Sequence, residues 1–477
     1  MEQAPESREK SKWGILAVTV MSPFMATLDA NIVNVALPDM AAKLHVTSGT
    51  IAWVASAYLI ALTASILFFG KLGDLKGQTR ILQYGMLLFT VGSFLCSMSK
   101  TFDFLIFSRV VQALGASATM ANSQGIISRT FPKNELGRAL GINAAFVALG
   151  TLAGPALGGL VISVAGWPYL FWINVPIGLL TFFGGFLLFP KAKSVPGKLD
   201  LTGSVLFAAS MIPLFTAVQE GLDFGFTSPF ILICFAVGIA ALVLFLLTQR
   251  RKEHPLLRLD IFRNKWFSIS IFCAFTSFTA ISVYTIVLPF YLQDVRSMSP
   301  EQAGLAMTIY PLILALVAPL SGALSDRIGS EGLTLVGLVA TCIGLFLMST
   351  LAEQTPLVVM ALFIAFMAIG NGLFQSPNNS LVMSTLPPDQ LGVGGSVNAL
   401  VRTMGQTFGI SGSTALLYIG MSMMMGRHVT NYLPGHNSAF LFGMRLAYLA
   451  SGAVCLLGVL ITAMRLRSRR LRDASTE

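Results

Sequence analysis

Apolar stretches of about twenty residues recur along this whole chain, each closed by a short polar connector. A helix needs about 20 mostly apolar residues to cross a bilayer, where helices keep every backbone polar group satisfied. Fourteen stretches meet that length: 13–37, 51–70, 81–99, 104–127, 139–163, 169–189, 201–219, 229–248, 266–291, 302–321, 332–351, 357–382, 394–425 and 441–464. The ninth and thirteenth are long and broken by polar residues. Only 11% of residues are charged against 55% hydrophobic, and soluble domains carry about 25% charge. Too little polar surface exists to cover a water-soluble globule of 477 residues. The expected fold is therefore an all-α integral membrane protein.

Charge placement sets the expected topology. An even number of spans puts both termini on one side. Basic clusters fall on that side: Lys71/Lys76/Arg80, Arg129/Lys133/Arg138, Lys191/Lys193/Lys198, Arg250/Arg251/Lys252 and Arg465/Arg467/Arg469/Arg470/Arg472. The other side holds Lys43, Lys100, Arg296 and Arg427, with Arg445 near a border. Basic residues collect on the cytoplasmic side of spans, so both termini are expected in the cytoplasm. The same clustering between spans explains the net charge of +10 without any nucleic-acid partner. The first apolar run exceeds a signal-peptide core of about 7–15 residues and reads as a retained helix. Short loops suggest a bacterial cytoplasmic (inner) membrane.

A short pattern occurs twice. Gly70-Lys71-Leu72-Gly73-Asp74 follows the second span, and Gly322-Ala323-Leu324-Ser325-Asp326-Arg327-Ile328-Gly329 follows the tenth. The pattern marks the same point in two six-helix groups. The expected organisation is a cytoplasmic N-terminus at 1–12, a bundle at 13–189, an inserted two-helix linker at 190–265, a bundle at 266–464 and a cytoplasmic tail at 465–477. Facing repeats with a site between them near the midplane form a transporter architecture.

Other functions find little support in the residues. The five cysteines lie in apolar runs without a CxxC pair and read as small buried hydrophobes. No histidine lies in a span and none has metal-ligand spacing, so no metal is expected. HExxH and GxSxG are absent, so membrane-enzyme chemistry lacks its groups. GxxxxGK[ST] is absent too, which argues against an ATPase. A sensor or scaffold would usually bring a soluble output domain, and no loop is long enough to hold one.

Four motifs carry a resemblance along nearly the whole chain. They are Leu28-Asp29-Ala30-Asn31-Ile32-Val33-Asn34-Val35-Ala36-Leu37-Pro38, the connector 70–82, Arg109-Val110-Val111-Gln112-Ala113-Leu114-Gly115 and Gly150-Thr151-Leu152-Ala153-Gly154-Pro155-Ala156-Leu157-Gly158-Gly159. Segments 167–178 and 372–379 add to it. Together they resemble the major facilitator superfamily, and most of all its fourteen-helix drug:proton antiporter branch. The resemblance implies two six-helix bundles plus two extra helices between them, no cofactor beyond a proton gradient, and a monomer. In the connector, Gly70, Leu72, Asp74 and Gly77 fit the family's loop motif, while Leu75, Gln78 and Thr79 replace usual basic residues. The second copy, with Asp326 and Arg327, fits better.

Asp29 stands nine residues before Pro38, about 13 Å below the expected outer end of its helix. An ionised carboxylate at that depth is costly, so an exchangeable proton is expected there. Pairing with a neighbouring polar group would be the structural alternative. Arg109 lies about 7 Å into the fourth span and keeps its charge, so it must face a cavity or a partner. The resemblance implies that it tunes the proton site; a structural anchor on backbone carbonyls is the alternative. Gly150, Gly154 and Gly158 share one helix face, with Gly159 beside them. Small residues there permit close helix contact and Pro155 permits a bend. The resemblance implies that this helix shapes alternating access. Asp74 and Asp326 are placed just before helices, where a carboxylate caps favourably, and with Arg327 they form an expected inner latch. Candidate pocket residues are Asn31, Asn34, Trp53, Tyr58, Gln112, Phe146, Tyr284, Phe290, Phe374, Gln375, Asn378 and Arg402. Aromatic walls with a few polar groups suit greasy ligands. The expected function is proton-coupled export of hydrophobic or cationic drugs by alternating access. The alternative is a dedicated proton-coupled exporter of one metabolite or amphiphile.

Overall fold

A computed structural model describes the chain except for residues 1–4, 47–50, 52, 191–196, 254, 299, 388–389, 428, 430–431, 434 and 474–477. Lys191 and Lys193 lie outside the described residues, as do the side chains of Asn34 and Pro155. Fourteen helices are long and apolar enough to cross a membrane. They are α1 (Pro5–Leu44), α2 (Trp53–Lys76), α3 (Gln78–Ser97), α4 (Phe102–Thr130), α5 (Lys133–Val164), α6 (Pro168–Leu188) and α7 (Leu201–Phe224). The rest are α8 (Pro229–Arg251), α9 (Lys265–Phe290), α10 (Gln302–Ile328), α11 (Ser330–Met348), α12 (Leu357–Ser384), α13 (Leu391–Met425) and α14 (Asn437–Asp473). The described residues contain no β-strand.

Helices α1–α6 pack on one another, and so do α9–α14. The inserted pair, α7 and α8, packs chiefly on itself, and α7 also leans on α2 and α13. Phe215 of α7 reaches Phe408 of α13 at 5.9 Å between ring centres. The outer wall is greasy: Leu232, Ile233, Val237, Val243 and Leu247 of α8 are all at least 49% exposed. In water that band would be a liability; in hydrocarbon it faces its proper solvent.

Helix ends differ from the sequence expectation. Helix α1 does not stop at Pro38 but continues to Leu44. A proline removes one helix hydrogen bond, and the rest of the helix carries on past it. Asp29 thus lies fifteen residues from the helix end, about 22 Å along the axis. The repeated pattern is also helical, not a loop. Asp74 falls in the last turn of α2 and Asp326 in the last turn of α10. Gly77 (φ 97°) and Gly329 (φ 89°) make the turns after them, in a region that favours glycine. Neither aspartate caps the helix that follows it.

The hydrogen bonds that cross between bundles gather at the end carrying both termini. Asp326 of α10 accepts from the backbone N–H of Gly137 and of Arg138, each at 3.2 Å. Ser376 Oγ of α12 donates to the Gly137 carbonyl at 3.3 Å. On the other flank, Ser396 Oγ of α13 donates to the Ala121 carbonyl at 3.4 Å, and Asn398 Nδ2 to Gln124 Oε1 at 2.8 Å. Small residues allow this closeness: Gly322 packs on the Gly137 backbone and Gly70 on Ser396. The two copies of the pattern therefore meet the opposite bundle in matching ways.

Candidate functional site

The most enclosed charges among the described residues meet inside the first bundle. Asp29 of α1 and Arg109 of α4 are both 0% exposed. Arg109 Nη1 donates to Asp29 Oδ2. Gln112 lies three residues after Arg109 and so on the same helix face. Its Nε2 donates to Asp29 Oδ1 at 2.8 Å and to Ser93 Oγ at 2.7 Å. Asn174 Nδ2 donates to Asp29 Oδ1 at 2.9 Å. Helix α6 is interrupted at Ile173, and Asn174 opens the segment after the break. The guanidinium is also held from behind: Arg109 Nε donates to the Val54 carbonyl at 3.0 Å, and its Cζ lies 4.3 Å from the Tyr58 ring centre. Arg109 thus both pairs with a carboxylate and anchors on a backbone carbonyl. A buried pair of this kind gains little net stability, but removing one member leaves an uncompensated charge and costs about 3–5 kcal/mol.

Helix α5 packs against α1 beside this cluster. A Cβ on Gly150 would run into the Phe24 carbonyl and the Thr27 hydroxyl, and one on Gly154 into Asn31. Thr27 Oγ1 donates to the Val147 carbonyl at 3.2 Å. Gly158 is buried. Gly159 is exposed with open space around it, so the small-residue face ends before it.

A cavity lies between the bundles, just beyond the latch at the terminal end. Its wall includes Pro23 of α1, Gln124 of α4, Asn143 and Val147 of α5, Phe278 of α9, Asn379 of α12, and Asn398 and Arg402 of α13. Of the pocket candidates from sequence, Arg402 lines it. The others whose side chains are described lie elsewhere. Tyr58 and Gln112 belong to the Asp29 cluster. Asn31 turns back onto its own helix, donating to the Thr27 carbonyl at 2.7 Å. Trp53 and Phe146 pack part-buried on the first core. Tyr284 stacks on Tyr310 at 4.9 Å and donates to the Met307 carbonyl at 2.8 Å. Phe374 is buried in the second core, and Phe290 is 40% exposed. Asn378 donates to the Ser270 carbonyl at 3.1 Å, and Gln375 is buried with Oε1 unpartnered.

Sequence reasoning missed Asn174, Ser93, Gln124, Asn143, Asn379 and Asn398. Asn174 and Asn379 lie inside the quoted segments 167–178 and 372–379. The others carried only one signal, a polar residue within an apolar span. At the latch, Asp326 accepts from two backbone N–H groups in the second turn of α5 of the opposite bundle. Within its own bundle, Asp74 accepts from Gln78 Nε2 at 3.0 Å with Arg129 at 3.7 Å. Arg327 is exposed and makes no ion pair among the described residues, so the expected charge pair at this position is not formed.

A multi-pass helical protein with two packed bundles and a polar cavity between them has the build of a secondary transporter. The chain belongs to the Major Facilitator Superfamily, which it matches over residues 19–410. It is similar to the riboflavin transporter RibZ of Clostridioides difficile, 35% identical over 463 residues, 96% of this chain and 98% of that protein. It is also similar to the multidrug resistance protein Stp of Mycobacterium tuberculosis, 30% identical over 421 residues, 88% of this chain and 78% of that protein. The fold is shared with the proton:xylose symporter XylE, with TM-score 0.66, 15% identity and 96% of each chain covered.

Proposed function

We propose that this transporter is a proton-coupled exporter working by alternating access, with Asp29 as the proton-carrying carboxylate and Arg109 as its charge partner. The carrying observation is the enclosed Asp29–Arg109 pair, seated on the helices that also wall the cavity. Protonation of Asp29 from outside releases Arg109 and loosens α1 against α4 and α6. Deprotonation toward the cytoplasm restores the pair. One charge crossing a potential of 100 mV supplies about 2.3 kcal/mol, so ATP is not required. The basic end is assigned to the cytoplasm, and the latch of Asp326 on α5 then closes the inner gate in this state. Asp74 steadies the matching corner. The glycine face of α5 supports export over import, on the strength of the antiporter-like motif. The protein works as a monomer in the bacterial inner membrane.

Within the expected cargo, Arg402 on the cavity wall disfavours the cationic drugs and leaves hydrophobic, neutral or acidic molecules. The dedicated-exporter reading has its own support: the cavity wall is rich in carboxamides, which recognise one shape better than many. A relative named as a riboflavin transporter matches almost end to end. The test is flux in proteoliposomes under an imposed pH gradient, wild type beside Asp29→Asn, with riboflavin, neutral drugs and cationic dyes. Loss of gradient-driven flux with gradient-independent exchange retained is the expected result. Uphill transport by the variant would remove Asp29 from the coupling role.

A further inference from the structure

Arg402 is the sole charged side chain among the described residues of the cavity wall, and none of the described residues forms an ion pair with it. Its Nε is enclosed without a hydrogen-bond partner, and its guanidinium lies 5.4 Å from the Phe278 ring centre. The other arginines enclosed in the bundles are matched. Arg109 has Asp29, and Arg465 has Glu331 at 3.2 Å. A guanidinium keeps its charge in any environment, and an unmatched charge within a membrane span marks a site of function. Two acceptors of the same wall are also unmet: Oδ1 of Asn143 and Oδ1 of Asn398 are enclosed without donors. Asn398 directs its amide N–H groups to Gln124 Oε1 at 2.8 Å and Asn379 Oδ1 at 2.9 Å, which fixes the orientation of its free oxygen.

We propose that Arg402 anchors the transported molecule through a planar edge with two neighbouring acceptors, either a carboxylate or a ring nitrogen beside a ring carbonyl. The fork of N–H donors suits two adjacent acceptors. The oxygens of Asn143 and Asn398 take N–H or O–H donors beside that edge, and Phe278 lies against the ring that carries it. The same charge turns cations away. This rests on the exporter reading only in placing the cavity on the transport path.

The test is equilibrium binding to the full-length protein in lipid nanodiscs, with no gradient. Three probes are used: riboflavin, whose ring carries an unprotonated nitrogen beside a carbonyl; fluorescein, an aromatic carboxylate; and tetraphenylphosphonium, a cation. The wild type is expected to bind riboflavin or fluorescein, and whichever binds identifies the head group. Arg402→Gln should weaken that binding by about tenfold or more, the loss expected for a charged hydrogen bond. Arg402→Lys should fall between, having the charge without the fork. Ligand-free Arg402→Gln should unfold no earlier than wild type, since relief of an uncompensated charge offsets the weak contact with the Phe278 ring. Unchanged affinity in Arg402→Gln, binding of neither acceptor-rich probe, preference for the cation, or an earlier unfolding transition would each overturn the proposal. The coupling assignment is judged separately by Asp29→Asn flux, so either can fail alone.

Discussion

Asp326 carries the cross-bundle latch, and its removal has a calculable effect. Its two carboxylate oxygens accept backbone N–H groups of Gly137 and Arg138 in the opening turns of α5. Hydrogen bonds to a charged group contribute about 1.5–3 kcal/mol, and a carboxylate near a helix start gains further from the helix dipole when partly buried. Asp326→Ala should therefore favour the parted state by about 2 kcal/mol, roughly a thirtyfold change in the closed-to-open ratio. Asp326→Asn keeps an acceptor but loses the charge, so about half that energy is expected. Spin labels at Asn134 and Ile328, both exposed on either side of the contact, would read the distance in lipid nanodiscs. Cys234, the one cysteine that is not buried, should be replaced by serine first. A long-distance population should grow in the order wild type, Asp326→Asn, Asp326→Ala. Arg138→Ala is the control, because Arg138 gives the latch its backbone N–H while its guanidinium lies over Trp13 in its own bundle. An unchanged distance in Asp326→Ala, or an equal shift in Arg138→Ala, would refute this account of the latch.

Two further outcomes follow from buried charge. Asp29→Asn leaves Arg109 charged, enclosed and without its counter-ion, and should destabilise the folded protein by about 3–5 kcal/mol; thermal unfolding in detergent should show Asp29→Asn/Arg109→Gln recovering most of that loss. Asp200 caps α7 through the Gly203 N–H at 2.7 Å and accepts from Gln249 at 2.7 Å and from Lys252. Burial pushes its carboxyl up, but these bonds outweigh burial and hold it below the ordinary carboxylate value. A depressed carboxylate contributes stability above its unfolded value of about 3.9, lost as pH falls through the folded value. Asp200→Asn should thus lower the unfolding temperature at neutral pH, and the gap to wild type should shrink below about pH 4.

The legible parts of the sequence are those where a mistake would be most costly. Fourteen spans stand out because hydrocarbon tolerates few polar side chains, and Asp29 and Arg109 stand out against them for the same reason. That they touch could not be read from spacing, since α1 and α4 are separate in the chain and their mutual rotation is set by packing. Helix ends were less legible: Pro38 and the 70–74 pattern look like stops, yet each loses too little hydrogen bonding to end a helix. The pocket was least legible. Phe374, Phe290 and Phe146 have identical side chains but face a core, the outside and a helix seam respectively. In a chain that is mostly apolar, an aromatic residue carries no information about which it faces. Carboxamides carry more, because lipid rejects them, and Asn143, Asn379 and Asn398 would have been the better guide to the cavity.

The position of the proton-site candidate also constrains how it can communicate with cargo. Asp29 is enclosed within the first bundle and does not line the cavity, so cargo cannot touch it in this state. Two helices nevertheless serve both places. Helix α1 presents Pro23 to the cavity and Asp29 to the cluster six residues later. Helix α5 presents Asn143 and Val147 to the cavity and Gly150 and Gly154 to α1. The Thr27–Val147 hydrogen bond joins them between the two sites. Backbones packed through glycine have no side-chain cushion to absorb a shift, so a rotation of α1 that frees Asp29 must carry α5 with it. The start of α5 is also where Asp326 closes the latch. A single helix, α5, thus packs on α1 beside the charge pair, walls the cavity and receives Asp326; on the proton-coupled reading proposed above, one proton would bias all three without a bond between proton and cargo.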